Sequence, residues 1–183
     1  MPVQNFHNAD DVLVELLAVA EQRFGPRDTS WSIGAVEIDP NGPHLNPDAV
    51  EMVATVCVNE YVNNHLPNLY SQIAHEVIHL LNPGPQVVNY LEEGVACIFQ
   101  DRIIVDKFGN DELQHQLNYR DTGYRDAKSL AERLRDFDNA AFIEIRRRVG
   151  AFHQATPSDL IELFTDLTVD EANQLCTQCR LRD

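Results

Sequence analysis

No run of 18 or more apolar residues occurs in this 183-residue chain, so no segment is long enough to cross a bilayer as a helix. Basic residues are scarce: 14 Lys and Arg stand against 29 Asp and Glu, a formal net charge of −15. A field of that sign repels nucleic acid and argues against DNA or RNA as a partner. It serves solubility first, and it is compatible with a neutral or basic peptide. The opening residues, Met1-Pro2-Val3-Gln4-Asn5, carry neither a basic nor an apolar run, so we expect no secretion and a cytoplasmic location. Cysteine is limited to four residues; with no secretory leader, these read as reduced thiols. Cys176 and Cys179 have metal-knuckle spacing but no facing Cys or His pair, and we expect two incidental thiols on one helix. Internal repeats, low-complexity tracts and long linkers are missing too. Residues 1–183 are expected to form one domain with a respectable core.

What the chain does have is His75-Glu76-Val77-Ile78-His79, an H-E-x-x-H pattern. On a helix, positions i and i+4 lie one above the other, so His75 and His79 can present two imidazoles to one ion. Glu76 sits about 100° round the helix, badly placed as a ligand but well placed to act as a base on water. Ile73, Ala74, Val77, Ile78, Leu80 and Leu81 surround the motif, so this helix should be buried and its histidines should need partners. Downstream, Tyr90-Leu91-Glu92-Glu93-Gly94-Val95-Ala96 supplies acidic residues at helical pitch. Zinc catalysis requires three protein ligands, an open fourth position and a base.

These segments resemble the gluzincin metallopeptidases, in which the two His of H-E-x-x-H and a Glu from a following helix hold zinc. That Glu often sits in a stretch similar to E-E-G-x-A, as Glu92-Glu93-Gly94-Val95-Ala96 does here. The resemblance implies one Zn2+ per chain held by His75, His79 and Glu93, with Glu92 as the competing third ligand. It implies hydrolysis of a peptide or protein substrate, with Glu76 as general base. Gly123-Tyr124-Arg125-Asp126-Ala127, followed by Leu130 and Leu134, resembles the tyrosine-led helix of the aminopeptidase-like members. That implies Tyr124 as hydrogen-bond donor to the oxyanion, with Tyr119, His115 and His153 as other candidates. The connection through Leu81-Asn82-Pro83-Gly84-Pro85 is shorter than in those aminopeptidases, which leaves subfamily and substrate class open. Two other classes of function stay open. One is a binding or regulatory protein on a zincin scaffold with weak or no peptidase activity; the other is a toxin-like protease with one specific protein target.

The remaining pattern predicts an α+β, zincin-like fold. Residues 10–24 carry an amphipathic helix stopped by Gly25-Pro26. Residues 31–38 alternate and read as a strand; residues 50–58 read as a second, although Pro47-Asp48-Ala49 could instead open a helix. His44 and Leu45 are expected near the edge of this small N-terminal sheet, where an extended substrate could pair. The sheet should pack on the motif helix, at about residues 69–81, within a first part covering about 1–82. From about residue 83 onward everything reads helical: 87–108, 111–118, 124–137 and 139–149. Two short helices follow, opened by capping boxes at Thr156 and Thr168.

Overall fold

Helix α1 (Ala9–Phe24) buries Val12, Leu13, Leu16, Leu17 and Ala20 along one stripe, the spacing its sequence period demands. The computed structural model describes residues 9–84, 87–117, 122–137 and 140–179. The helix stops at Gly25, whose φ of +92° suits a residue without a Cβ. Its terminal carbonyls are satisfied from far along the chain. The buried Arg146 guanidinium donates to Phe24 O at 2.9 Å, Gly25 O at 2.8 Å and Pro26 O at 3.0 Å. It also donates to Asn82 Oδ1 at 2.7 Å, tying α1 to the loop behind the motif helix.

Four short strands follow: β1 (Ser32–Ile33), β2 (Glu37–Ile38), β3 (His44–Asp48) and β4 (Val53–Val58). β3 pairs antiparallel with β4 over nearly its whole length, while β1 and β2 both pair parallel with β4. A strand has two edges, so β1 and β2 share the edge that β3 leaves free. The single strand expected over residues 31–38 is therefore broken. Ile33 faces Ala54 and Glu37 faces Cys57, so four steps on one side oppose three on the other, a bulge. Gly34 lies inside it, where a Cβ would meet Thr55 Oγ1 at 2.4 Å. The second expected strand is shortened at its start, because residues 49–52 form the turn between β3 and β4, with Met52 at φ +53°. Pro47 and Asp48 belong to β3 rather than to a helix start. β3 is the outer strand, which puts His44 and Leu45 at the sheet edge as expected.

Ala54, Val56 and Val58 of β4 enter the core, and the motif helix α2 (Leu66–Leu80) packs against them. α2 starts three residues earlier than the periodicity suggests. Pro67 stands in its first turn, and the His65 side chain accepts the Asn68 N–H at 3.2 Å as a cap. α3 (Tyr90–Phe108) packs on α2 and on α5 (Thr122–Phe137). α4 (Asn110–Leu117), α6 (Ala141–Val149), α7 (Pro157–Leu163) and α8 (Val169–Cys176) complete the helical part. Both capping boxes form as expected, at Thr156 and Thr168. The architecture is thus a small mixed sheet on a predominantly helical body, an α+β arrangement.

Gly94 is where α3 and α5 come closest. A Cβ at that position would lie 2.3 Å from the Ala127 carbonyl oxygen and 2.5 Å from Ala131 Cβ. Backbone cannot give way as a side chain can. Gly94→Ala should therefore cost about 3 kcal/mol and lower Tm by roughly 6–12 °C in a melting experiment. An unchanged Tm would contradict this crossing. No helix is long and apolar enough to cross a membrane, among the described residues.

Candidate metal centre

α2 is buried from Ile73 to Leu80, so His75 and His79 must find partners within the protein. Their rings meet edge-on one turn apart, with centroids 5.2 Å from each other at 63°. α3 brings its first turn to the same place. Asn89 caps it by accepting the Glu92 N–H at 2.9 Å, and Glu92 and Glu93 sit where the helix dipole favours carboxylates.

The two glutamates, one residue apart, face different directions. Glu93 points at both imidazoles: its Oε2 lies 3.2 Å from His75 Nε2 and its Oε1 3.8 Å from His79 Nε2. Ligand atoms of His75, His79 and Glu93 all fall within 4.8 Å of one another, and all three residues are buried. Glu93 Oε2 is deeply buried, with His75 Nε2 at 3.2 Å as its charged neighbour. Burying a carboxylate against two imidazoles is costly unless each group is partnered, and a cation among these three residues would satisfy all of them. The residues therefore fit a metal ion.

Glu92 turns the other way. Its Oε1 accepts the His79 Nδ1–H at 2.8 Å, and its Oε2 accepts the His153 backbone N–H at 3.0 Å and lies 2.9 Å from His153 Nδ1. Burial would raise its pKa, but the bonds from His153 and His79 outweigh that and hold it down at about 2. An ionised Glu92 holds a proton on His79 Nδ1 and turns Nε2 toward Glu93, the orientation a ligating histidine needs. Burial opposes charge on His75 as well, yet the Cys97 thiol and the Glu93 carboxylate win and push its pKa well up. The site favours positive charge at this spot.

Glu76 is 4% exposed, and burial in the first place raises its pKa. Tyr124, at the start of α5, packs edge-on against His75 with ring centroids 5.3 Å apart at 89°. A cavity of about 810 Å3 opens beside them, lined by His75, Tyr124, Tyr61, Gln72, Gln100 and His115 among others. Its wall is pre-arranged: Gln72 spans to Asn59, and Gln100 donates to Ser71 Oγ at 2.6 Å.

Of the sequence-derived candidates, His75, His79, Glu93, Glu76 and Tyr124 converge here, and His115 lines the cavity. His153 is engaged with Glu92. Tyr119 lies outside the described residues. Cys176 and Cys179 do not share a helix. α8 ends at Cys176, and the following segment runs antiparallel to the chain entering α3, with Cys179 N–H donating to Val88 O at 2.9 Å. Sequence reasoning missed the Glu92–His153 contact, which joins positions 61 residues apart and leaves no periodic trace. No protein-family profile matches the chain, and no curated protein or solved structure matches it either.

Proposed function

We propose that this protein is a zinc-dependent metallopeptidase of gluzincin type, with His75, His79 and Glu93 as the metal ligands. The observation that carries the reading is the buried convergence of these three side chains, two imidazoles and one carboxylate, beside the buried Glu76. Zinc bound there would supply Lewis-acid polarisation of a carbonyl and bring the pKa of a water down to about 7.

The chain's own groups do the rest. Glu76 takes the proton of the attacking water and passes it to the leaving amine. Its burial makes it a stronger base than an ordinary carboxylate. The Tyr124 phenol is pushed to higher pKa by burial first and then by the Glu93 and Glu76 carboxylates. It keeps its proton at neutral pH and donates to the oxygen on which charge develops. The cavity beside His75 and Tyr124 receives one side of the peptide.

Cleavage of a mixed-sequence quenched peptide library, lost on chelation and restored by zinc, is the expected result. A zinc-loaded protein that leaves the library intact would favour the binding or regulatory alternative. Within the site, Glu92→Ala should weaken zinc binding by roughly 10–100-fold, because the His79 ring loses the carboxylate that orients it. Glu93→Ala should lose this ion altogether. Competition titration against a chromogenic chelator separates the two. If Glu92→Ala were the variant that lost the ion, the assignment of the third ligand would be reversed.

A further inference from the structure

A second group of ligand-type side chains lies on the sheet, outside the α2–α3 centre. Asp39 follows β2, His44 opens β3 and Cys57 stands on β4; one ligand atom of each falls within 4.8 Å of the others. His44 and Cys57 are direct partners across the antiparallel pair, so their side chains leave the sheet on the same face. Asp39 is tethered to the far side of β4 by its N–H, which donates to Val58 O at 2.8 Å.

The hydrogen bonding around these residues leaves lone pairs aimed at one another. Asp39 Oδ1 is used by Asn41, accepting its backbone N–H at 2.7 Å and its side-chain amide at 2.8 Å. That leaves Oδ2 to face His44. The His44 Nδ1 lies 3.1 Å from the Gly42 carbonyl. A carbonyl only accepts, so Nδ1 carries a proton and, in the neutral ring, Nε2 is the nitrogen with the lone pair. Nε2 and Asp39 Oδ2 stand 3.8 Å apart, too far for a hydrogen bond. His79 has the same geometry: Nδ1 donates to Glu92, and Nε2 stands 3.8 Å from Glu93 Oε1. Cys57 completes the group. It is 3% exposed, and no hydrogen bond reaches its thiol among the described residues.

A Cys, His and Asp together could also suggest a thiol hydrolase. That reading fails, because burial, and then the carboxylates of Glu37, Asp39 and Glu76, hold the Cys57 thiol protonated rather than activating it. A divalent cation would reverse this by replacing the proton on sulfur.

We propose that Asp39, His44 and Cys57 form a second metal site that takes a borderline-soft divalent cation of the zinc class. One thiolate, one imidazole and one carboxylate suit zinc, whereas calcium and magnesium prefer all-oxygen cages. Ligands about 2.0–2.1 Å from one tetrahedral ion lie roughly 3.3 Å apart, so the 3.8 Å gap between His44 and Asp39 needs only a small closure. The two side chains are 42% and 30% exposed, which opens the site to ions from solvent. The site lies within electrostatic reach of Glu76, on the sheet side of the first centre. It raises the expected metal content from one ion per chain to two.

Cobalt substitution tests this independently of the first centre, whose ligands include no thiolate. The cobalt-loaded protein should show a thiolate-to-cobalt charge-transfer band in the near ultraviolet and bind two ions per chain. Cys57→Ser should abolish the band and reduce the content to one ion. His79→Ala should keep the band and also bind one ion. Cys97→Ser and Cys179→Ser should both retain the band. One ion per chain without a band would overturn the second site, whether or not the first centre holds metal. A band that survives Cys57→Ser, or that disappears with Cys97→Ser or Cys179→Ser, would overturn it as well.

Discussion

Glu76→Gln should lower peptide-library turnover by roughly 10²–10⁴-fold, the range over which a positioned general base acts, while leaving the metal content unchanged. The amide keeps the volume and half the polarity of the carboxylate, so packing is retained, but it cannot hold a proton in transit. Glu76 is buried and outside the group of three converging ligand atoms, which is why metal content and turnover should separate. Elemental analysis and a turnover assay on one preparation read both. Turnover that survives in the metal-loaded variant would remove Glu76 from the mechanism, and joint loss of metal and turnover would make it a ligand instead.

Tyr124→Phe should lower kcat by roughly 10²–10³-fold with little change in KM, the cost of removing one oxyanion donor. The ring packs edge-on against His75 at 5.3 Å, and Phe preserves that contact, so the melting temperature should stay close to the parent value. A role in packing alone predicts tolerance in both assays. Tyr119→Phe is the matching control, since only the residue that donates should affect kcat without affecting stability.

Relations inside one helix were legible in the sequence. His75 and His79 had to share a face, Glu76 had to turn away from them, and both capping boxes had to open helices, because the helical repeat is a property of the local backbone. Helix boundaries were readable to within a few residues, and α2 began early because Pro67 stands in its first turn and His65 supplies a cap that periodicity does not reveal. The strands were less legible. The Trp31–Ile38 alternation is real, but the bulge at Gly34 depends on what Thr55 leaves room for.

Tertiary structure decided what local geometry leaves open. The resemblance favours Glu93 over Glu92 by its place before Gly94, but both lie in the first turn of α3, and local geometry alone aims neither. Only the packing of α3 on α2 turns Glu93 toward both Nε2 atoms and Glu92 toward the His79 Nδ1. The anchoring of Glu92 by His153 and the grouping of Asp39, His44 and Cys57 arise in the same way. Such contacts join residues distant along the chain, where no repeat links their positions. They exist because burying the apolar faces of α2, α3 and β4 brings those segments together, and polar side chains caught in the closure must find partners there.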